Sequence, residues 1–153
     1  MKARGRVVFL LLVFLSVVLY LDAQVSKHPW ASFGVGSWAK VETVANDGDD
    51  AYWKMTKFTL LEVTPKAAIV RIEVRTESGT ASKDASFPVP EGKNQADRSH
   101  PDTISYKGRQ LQCRAYEYDE QHTTVWRCPE VPGFLGMTKT RKTTTTVVDF
   151  EAK

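Results

Sequence analysis

The chain has 153 residues, 42% of them hydrophobic and 25% charged, with a formal net charge of +3, a length that suits one domain. Lys2, Arg4 and Arg6 supply that charge: residues 1–23, which also hold Asp22, leave about +1 behind when they are set aside. The other Lys and Arg residues alternate with Asp and Glu and form no block, which argues against nucleic acid and against an electrostatically held membrane surface as partners.

The apolar run over residues 7–21 follows directly on the basic start. It is short for a spanning helix, which needs about 20 residues, and suits the apolar region of a secretory signal peptide ending at Ala23. No cysteine follows the run closely enough for lipid attachment. The expectation is an exported protein, periplasmic or extracellular, made of a signal peptide (1–23) and a β domain (24–153) with no integral membrane span. The alternative is a chain held in the membrane by an uncleaved signal.

Residues 28–36 are aromatic and rich in turn formers. Pro29 can open a short helical turn that sets Trp30 and Phe33 on one side, as a plug for the end of a sheet. A first strand is predicted over residues 37–44. It runs into Asn46, Asp47, Gly48, Asp49 and Asp50, which read as a turn. The carboxylates there lack the alternating ligand spacing and the later Glu of a calcium loop.

A hairpin follows over residues 52–77. Thr64-Pro65-Lys66-Ala67 places proline where a turn needs a fixed φ. Centred there, the register pairs Val63 with Ala68, Leu61 with Val70 and Thr59 with Ile72. The second arm alternates apolar and charged residues as a half-buried antiparallel strand does. The first arm puts Phe58 and Leu60 on the charged side, which calls for a bulge or for something covering that face.

Periodicity stops at residues 79–102, which read as a long irregular loop, with Phe87 and Val89 able to lie as an apolar strip over the sheet. Ser99, His100 and Asp102 resemble a catalytic triad in composition only, because neighbours in an extended segment point apart. Lys107-Gly108 marks the next tight turn.

Residues 111–136 form the organising hairpin. Cys113 and Cys128 are symmetric about Glu120-Gln121, so a turn there sets the two thiols opposite each other, with Ala115 facing Trp126, Tyr116 facing Val125 and Tyr118 facing Thr123. Two cysteines in an exported chain point to a disulfide. A redox pair would need the close Cys-x-x-Cys spacing that is absent. After Pro129 to Gly133, residues 134–141 and the Thr-rich 142–151 give the last strands. The predicted fold is therefore all-β: a single curved antiparallel sheet, a meander forming a half-barrel or open barrel, with little or no helix beyond the signal peptide.

Gly36-Ser37-Trp38 at the first strand, Gln112-Cys113, Val125-Trp126, Val131-Pro132-Gly133 and a final Thr-rich strand occur together here. In this the chain resembles small, uncharacterised exported bacterial β-sheet proteins and, more distantly, is similar to periplasmic lipoprotein carriers of the LolA and LolB type. The resemblance implies an exported β-sheet protein and brings no catalytic residues with it. Those carriers cover a concave face with helices, and no stretch here has helical periodicity.

For function, the first expectation is a non-enzymatic binding protein that holds an apolar ligand such as a lipid on a concave sheet face. Trp38, Trp53, Phe58, Leu60, Phe87 and Trp126 would line it, although the same residues could equally make a filled core. The alternative is an envelope protein–protein interaction module that binds through a sheet edge or the 79–102 loop. His28, His100 and His122 are scattered, and no metal-ligand spacing, phosphate loop or nucleophile motif accompanies them, so neither an enzyme nor a cofactor is expected.

Overall fold

Residues 28–46, 52–89 and 95–153 are described by a computed structural model. The expected signal peptide and the expected turn at Asp47, Gly48, Asp49 and Asp50 lie outside the described residues. Nine strands make one sheet: β1 (Trp38–Ala45), β2 (Lys54–Val63), β3 (Ala67–Thr76), β4 (Gly79–Pro88), β5 (Arg98–Tyr106), β6 (Arg109–Tyr118), β7 (Thr123–Arg127), β8 (Leu135–Lys139) and β9 (Thr143–Glu151). Their spatial order is β4-β3-β2-β1-β9-β8-β7-β6-β5. Every neighbouring pair is antiparallel. Two meanders thus grow outward from a central β1–β9 pair, and the sheet does not close into a barrel. A single 3-10 turn, Pro132–Phe134, is the only helical element among the described residues.

Three hairpin turns form where local chemistry demands them. The Thr64 hydroxyl accepts the Lys66 and Ala67 N–H groups across the Pro65 turn. Lys107 and Gly108 take φ of 46° and 79° between the Tyr106–Arg109 pair, the two positive values a two-residue hairpin with native twist requires. The β6–β7 hairpin has the expected register, with Ala115 opposite Trp126, Tyr116 opposite Val125 and Tyr118 opposite Thr123. Cys113 and Cys128 are joined, Cα to Cα 4.2 Å.

Two expectations are corrected. In the β2–β3 hairpin Val63 does face Ala68, but the register shifts between Leu60 and Glu62. Leu60 then faces Val70 and Phe58 faces Ile72, instead of Leu61 and Thr59. The bulge turns Phe58 and Leu60 onto the side of Val70, Ile72 and Val74, where all five are buried. The predicted 79–102 loop holds two strands instead, β4 and the start of β5. Gly79 to Asp84 are exposed on both faces, so that stretch of β4 has no buried side to impose an alternating pattern. Its strand character comes from ladder bonds to β3 along its whole length.

The core runs along one side of the sheet: Ala39, Val41, Phe58, Leu60, Val70, Ile72 and Val74 are buried in the β1–β4 half, and the same cluster continues through Val147, Leu111, Cys113 and Ile104 of the other half. Each large side chain so buried contributes about 1.5–3 kcal/mol. The N-terminal segment does act as a plug. Trp30 is buried, and a Cβ on Gly133 would come within 2.7 Å of its ring. Phe33 meets Phe134 edge-on at 6.2 Å. Gly36 donates to the Leu60 carbonyl and Leu60 to that of Ser37, both at 2.8 Å.

The far end of the β5–β6 hairpin folds back toward β9. Lys107 Nζ reaches Asp149 at 2.6 Å and the Tyr106 ring meets Phe150 at 5.0 Å. Strands β6 and β9 are three ladder steps apart, roughly 14 Å in a flat sheet. Contacts this short therefore require the sheet to curve.

Candidate functional site

The six aromatic and aliphatic residues expected to line one ligand face do not share a face. Phe58, Leu60 and Phe87 stand on the core side of β2 and β4, with relative exposures of 3%, 0% and 6%. Trp38 stands on the opposite side of β1, half-buried, with the Lys57 and Lys40 ammonium groups 4.8 and 5.8 Å from its ring. Its indole N–H donates to Glu151. Trp53 precedes β2 on that same outer side, donating to Glu42 Oε1 at 2.7 Å. Trp126 packs half-buried against the core from β7 and donates to Asp102 Oδ2 at 2.7 Å.

That last bond holds the Asp102 carboxyl below the usual carboxylate range, helped by the Thr103 N–H. The Asp102 carboxylate is thereby hydrogen-bonded to Trp126 and Thr103, and His100 acts on it only through its charge. The Ser99 hydroxyl accepts from Arg114, and His100 lies 3.5 Å from Glu117. His28 is buried beside the Phe87 carbonyl, 3.0 Å away, and His122 contacts Arg141. Among the described residues no three His, Cys, Asp or Glu side chains are placed to hold a metal ion.

The core side also carries a polar row that the sequence pattern did not mark. Lys54 is opposite Thr43, and Thr43 is opposite Thr145. All three are buried, and the two threonine hydroxyls are 2.9 Å apart. Burial pushes the Lys54 ammonium down to about 8. Thr56, next along β2 on the same side, is 1% exposed. Its hydroxyl has no hydrogen-bond partner among the described residues.

An open cleft of about 280 Å³ lies at the tip of the β6–β7 hairpin, lined by Glu117, Tyr118, Asp119, His122, Thr123 and Thr124. Its two carboxylates are already matched by Arg98, at 2.9 Å from each.

The remaining candidate feature is the pair of sheet edges, and the two differ. At the β5 edge, the two-residue turn makes Tyr106–Arg109 a bonded pair, so Tyr106, Ile104 and Asp102 aim their backbone groups at β6 while Ser105, Thr103, Pro101 and Ser99 aim theirs outward. Pro101 has no N–H to offer, and the outward N–H of Thr103 is taken by the Asp102 carboxylate at 2.8 Å. This edge is blunted in the manner of a protected strand. At the β4 edge, Val89 donates inward to the Lys66 carbonyl. The alternation then directs the backbone groups of Thr80, Ser82, Asp84 and Ser86 outward, with Pro88 at a position where no ladder donor is needed. These four residues are exposed. Strand β4 pairs with β3 without a bulge from Gly79 to Pro88.

No family model, curated protein or solved structure matches the chain.

Proposed function

We propose that this chain is a non-enzymatic exported protein that docks another polypeptide through an open edge of its sheet. The observation that carries the reading is the contrast between a filled face and an open edge. The apolar side chains nearest to a ligand platform, Phe58, Leu60 and Phe87, are buried by the chain itself, while Thr80, Ser82, Asp84 and Ser86 of β4, whose backbone groups the register directs away from β3, are exposed residues. Export is supported by the basic and apolar start of the sequence and by a disulfide, Cys113–Cys128, that fits an oxidising compartment. The test places a photo-crosslinking amino acid at Thr80 in β4 or at Ser105 in β5 of the full chain in the exporting cell. A discrete adduct with another polypeptide at either edge supports the reading. No adduct from either edge, in protein whose disulfide is formed, refutes it.

A second reading keeps a lipid or other amphiphile as the ligand, and one observation favours it. The buried Thr56 hydroxyl and the Lys54–Thr43–Thr145 row give the apolar side one polar end, the arrangement that a polar head and an apolar tail would match. Native mass spectrometry of the purified mature protein then shows a bound lipid mass. A lipid-free protein whose tryptophan fluorescence ignores added fatty acid rules this reading out.

A further inference from the structure

The two edges of the sheet are not equivalent, and the geometry points to β4 as a strand-addition site for an extended segment of a partner protein that carries an acidic residue among apolar ones. The inference rests on the proposed docking role and specifies its site and its partner.

Backbone valence decides the kind of occupant. Thr80, Ser82, Asp84 and Ser86 each direct an N–H and a C=O outward, in the alternating spacing that another β-strand satisfies group for group. Thr80 to Ser86 spans roughly 24 Å at about 3.4 Å per residue, enough for a seven-residue segment. On β5 the same row is broken by Pro101 and by the Asp102 carboxylate on Thr103, so a strand added there would lose ladder bonds at its middle.

Side chains decide the kind of segment. On one side of β4 stand Thr80, Ser82, Asp84 and Ser86, small residues that exclude little. Asp84 is already matched by Arg71 at 2.9 Å. The other side presents Ala81, Lys83, Ala85 and Phe87, continuous with Val70, Ile72 and Val74 of β3. Lys83 has no ion-pair partner among the described residues. Phe87 is buried already and Ala81 and Ala85 keep some exposure, so a partner strand gains most by setting an acidic residue beside Lys83 and apolar residues beside Ala81 and Ala85.

The same arithmetic disfavours a second copy of this chain. Directly opposite residues of an antiparallel pair share a face, so the two registers that use the full length of β4 against itself set Lys83 against Lys83 or Asp84 against Asp84. Like charges in that position destabilise the pair.

The experiment uses the full chain in the exporting cell, with the photo-crosslinker at Thr80 or at Ser105. The expected result is a discrete adduct with a different polypeptide from Thr80 and none from Ser105. That adduct falls at least tenfold in Ser82→Pro, which removes an outward donor and no ladder bond to β3. It falls severalfold in Lys83→Glu, an exposed change that leaves the fold and the disulfide intact. An adduct from Ser105 alone overturns the choice of edge while leaving the docking role standing. A Thr80 adduct that ignores both substitutions overturns strand addition. An adduct of two copies of this chain overturns the assignment of the partner. Absence of adducts from both edges removes this inference together with the docking role.

Discussion

Replacing Cys113 and Cys128 together by alanine tests the staple on which the second half of the sheet depends. The cysteines are 15 residues apart, and closing a loop of that size restricts the unfolded chain by roughly 3 kcal/mol in the chain-entropy account. Both sulfurs are buried, Cys128 completely, so lost packing adds about 1 kcal/mol. The expected loss is about 4 kcal/mol, or on the order of 10 °C in Tm for a domain of this size. Urea unfolding under non-reducing conditions, followed by tryptophan fluorescence, reads it as a lower midpoint. The slope rises, because the unlinked unfolded chain exposes more surface. Gly136 sharpens the test. A Cβ there would lie 2.5 Å from Cys128 Sγ and 2.5 Å from the Trp126 carbonyl oxygen, so Gly136→Ala costs about 1–3 kcal/mol by overpacking. In the alanine pair the sulfur is gone and the carbonyl remains. The cost then shrinks by about 1 kcal/mol, a coupling of the size contacting residues show. Equal costs in the two backgrounds, or a staple worth less than about 1 kcal/mol, would refute this account of the hairpin.

Three further outcomes follow from the polar groups. Burial holds the Lys54 ammonium near 8 against its ordinary 10.5. Below pH 8 both folded and unfolded chains carry its proton and the burial cost is fully present. Between 8 and about 10 only the unfolded chain keeps the proton, so stability rises with pH, and Lys54→Met flattens that rise in chemical denaturation series. A wild-type stability that falls through this window refutes the assignment. Above it the raised Tyr52 pKa works in the opposite sense. Thr56→Val removes an unpartnered buried hydroxyl and leaves stability equal or up to about 1 kcal/mol higher; a loss above about 1 kcal/mol would show that the hydroxyl has a partner. Trp126→Phe deletes the indole donor to Asp102, and the Asp102 pKa returns toward the ordinary carboxylate range in a carboxyl NMR titration. An unmoved Asp102 would shift the cause to the Thr103 N–H.

How far the site was legible follows from where its signals reside. Trp38, Trp53 and Trp126 are conspicuous in the sequence, yet each indole N–H is spent on a carboxylate: Glu151, Glu42 and Asp102. Nothing local foretells those partners, each of them in a strand that does not hold its tryptophan. Strand β4 was illegible for the opposite reason. Its residues Gly79 to Asp84 are small or polar and exposed on both faces, so no hydrophobic period announces a strand, and it is held by backbone ladder bonds to β3. The feature proposed to matter most for partner binding therefore lacks the hydrophobic period that would mark it as a strand.

By itself the sequence determined the all-β class, the turns at Pro65 and at Lys107-Gly108, and the register that sets Cys113 against Cys128. Those depend on φ preferences and on the distance between two symmetric cysteines, which are properties of short stretches. Only the tertiary structure decided that β1 joins β9, that the β2 strand bulges at Leu61, and which half of the sheet buries which side. Strands β1 and β9 lie about a hundred residues apart, and their register depends on cross-strand packing such as Val41 on Val147. Local preference does not encode such contacts. They are selected by how much apolar surface the whole chain can bury at once.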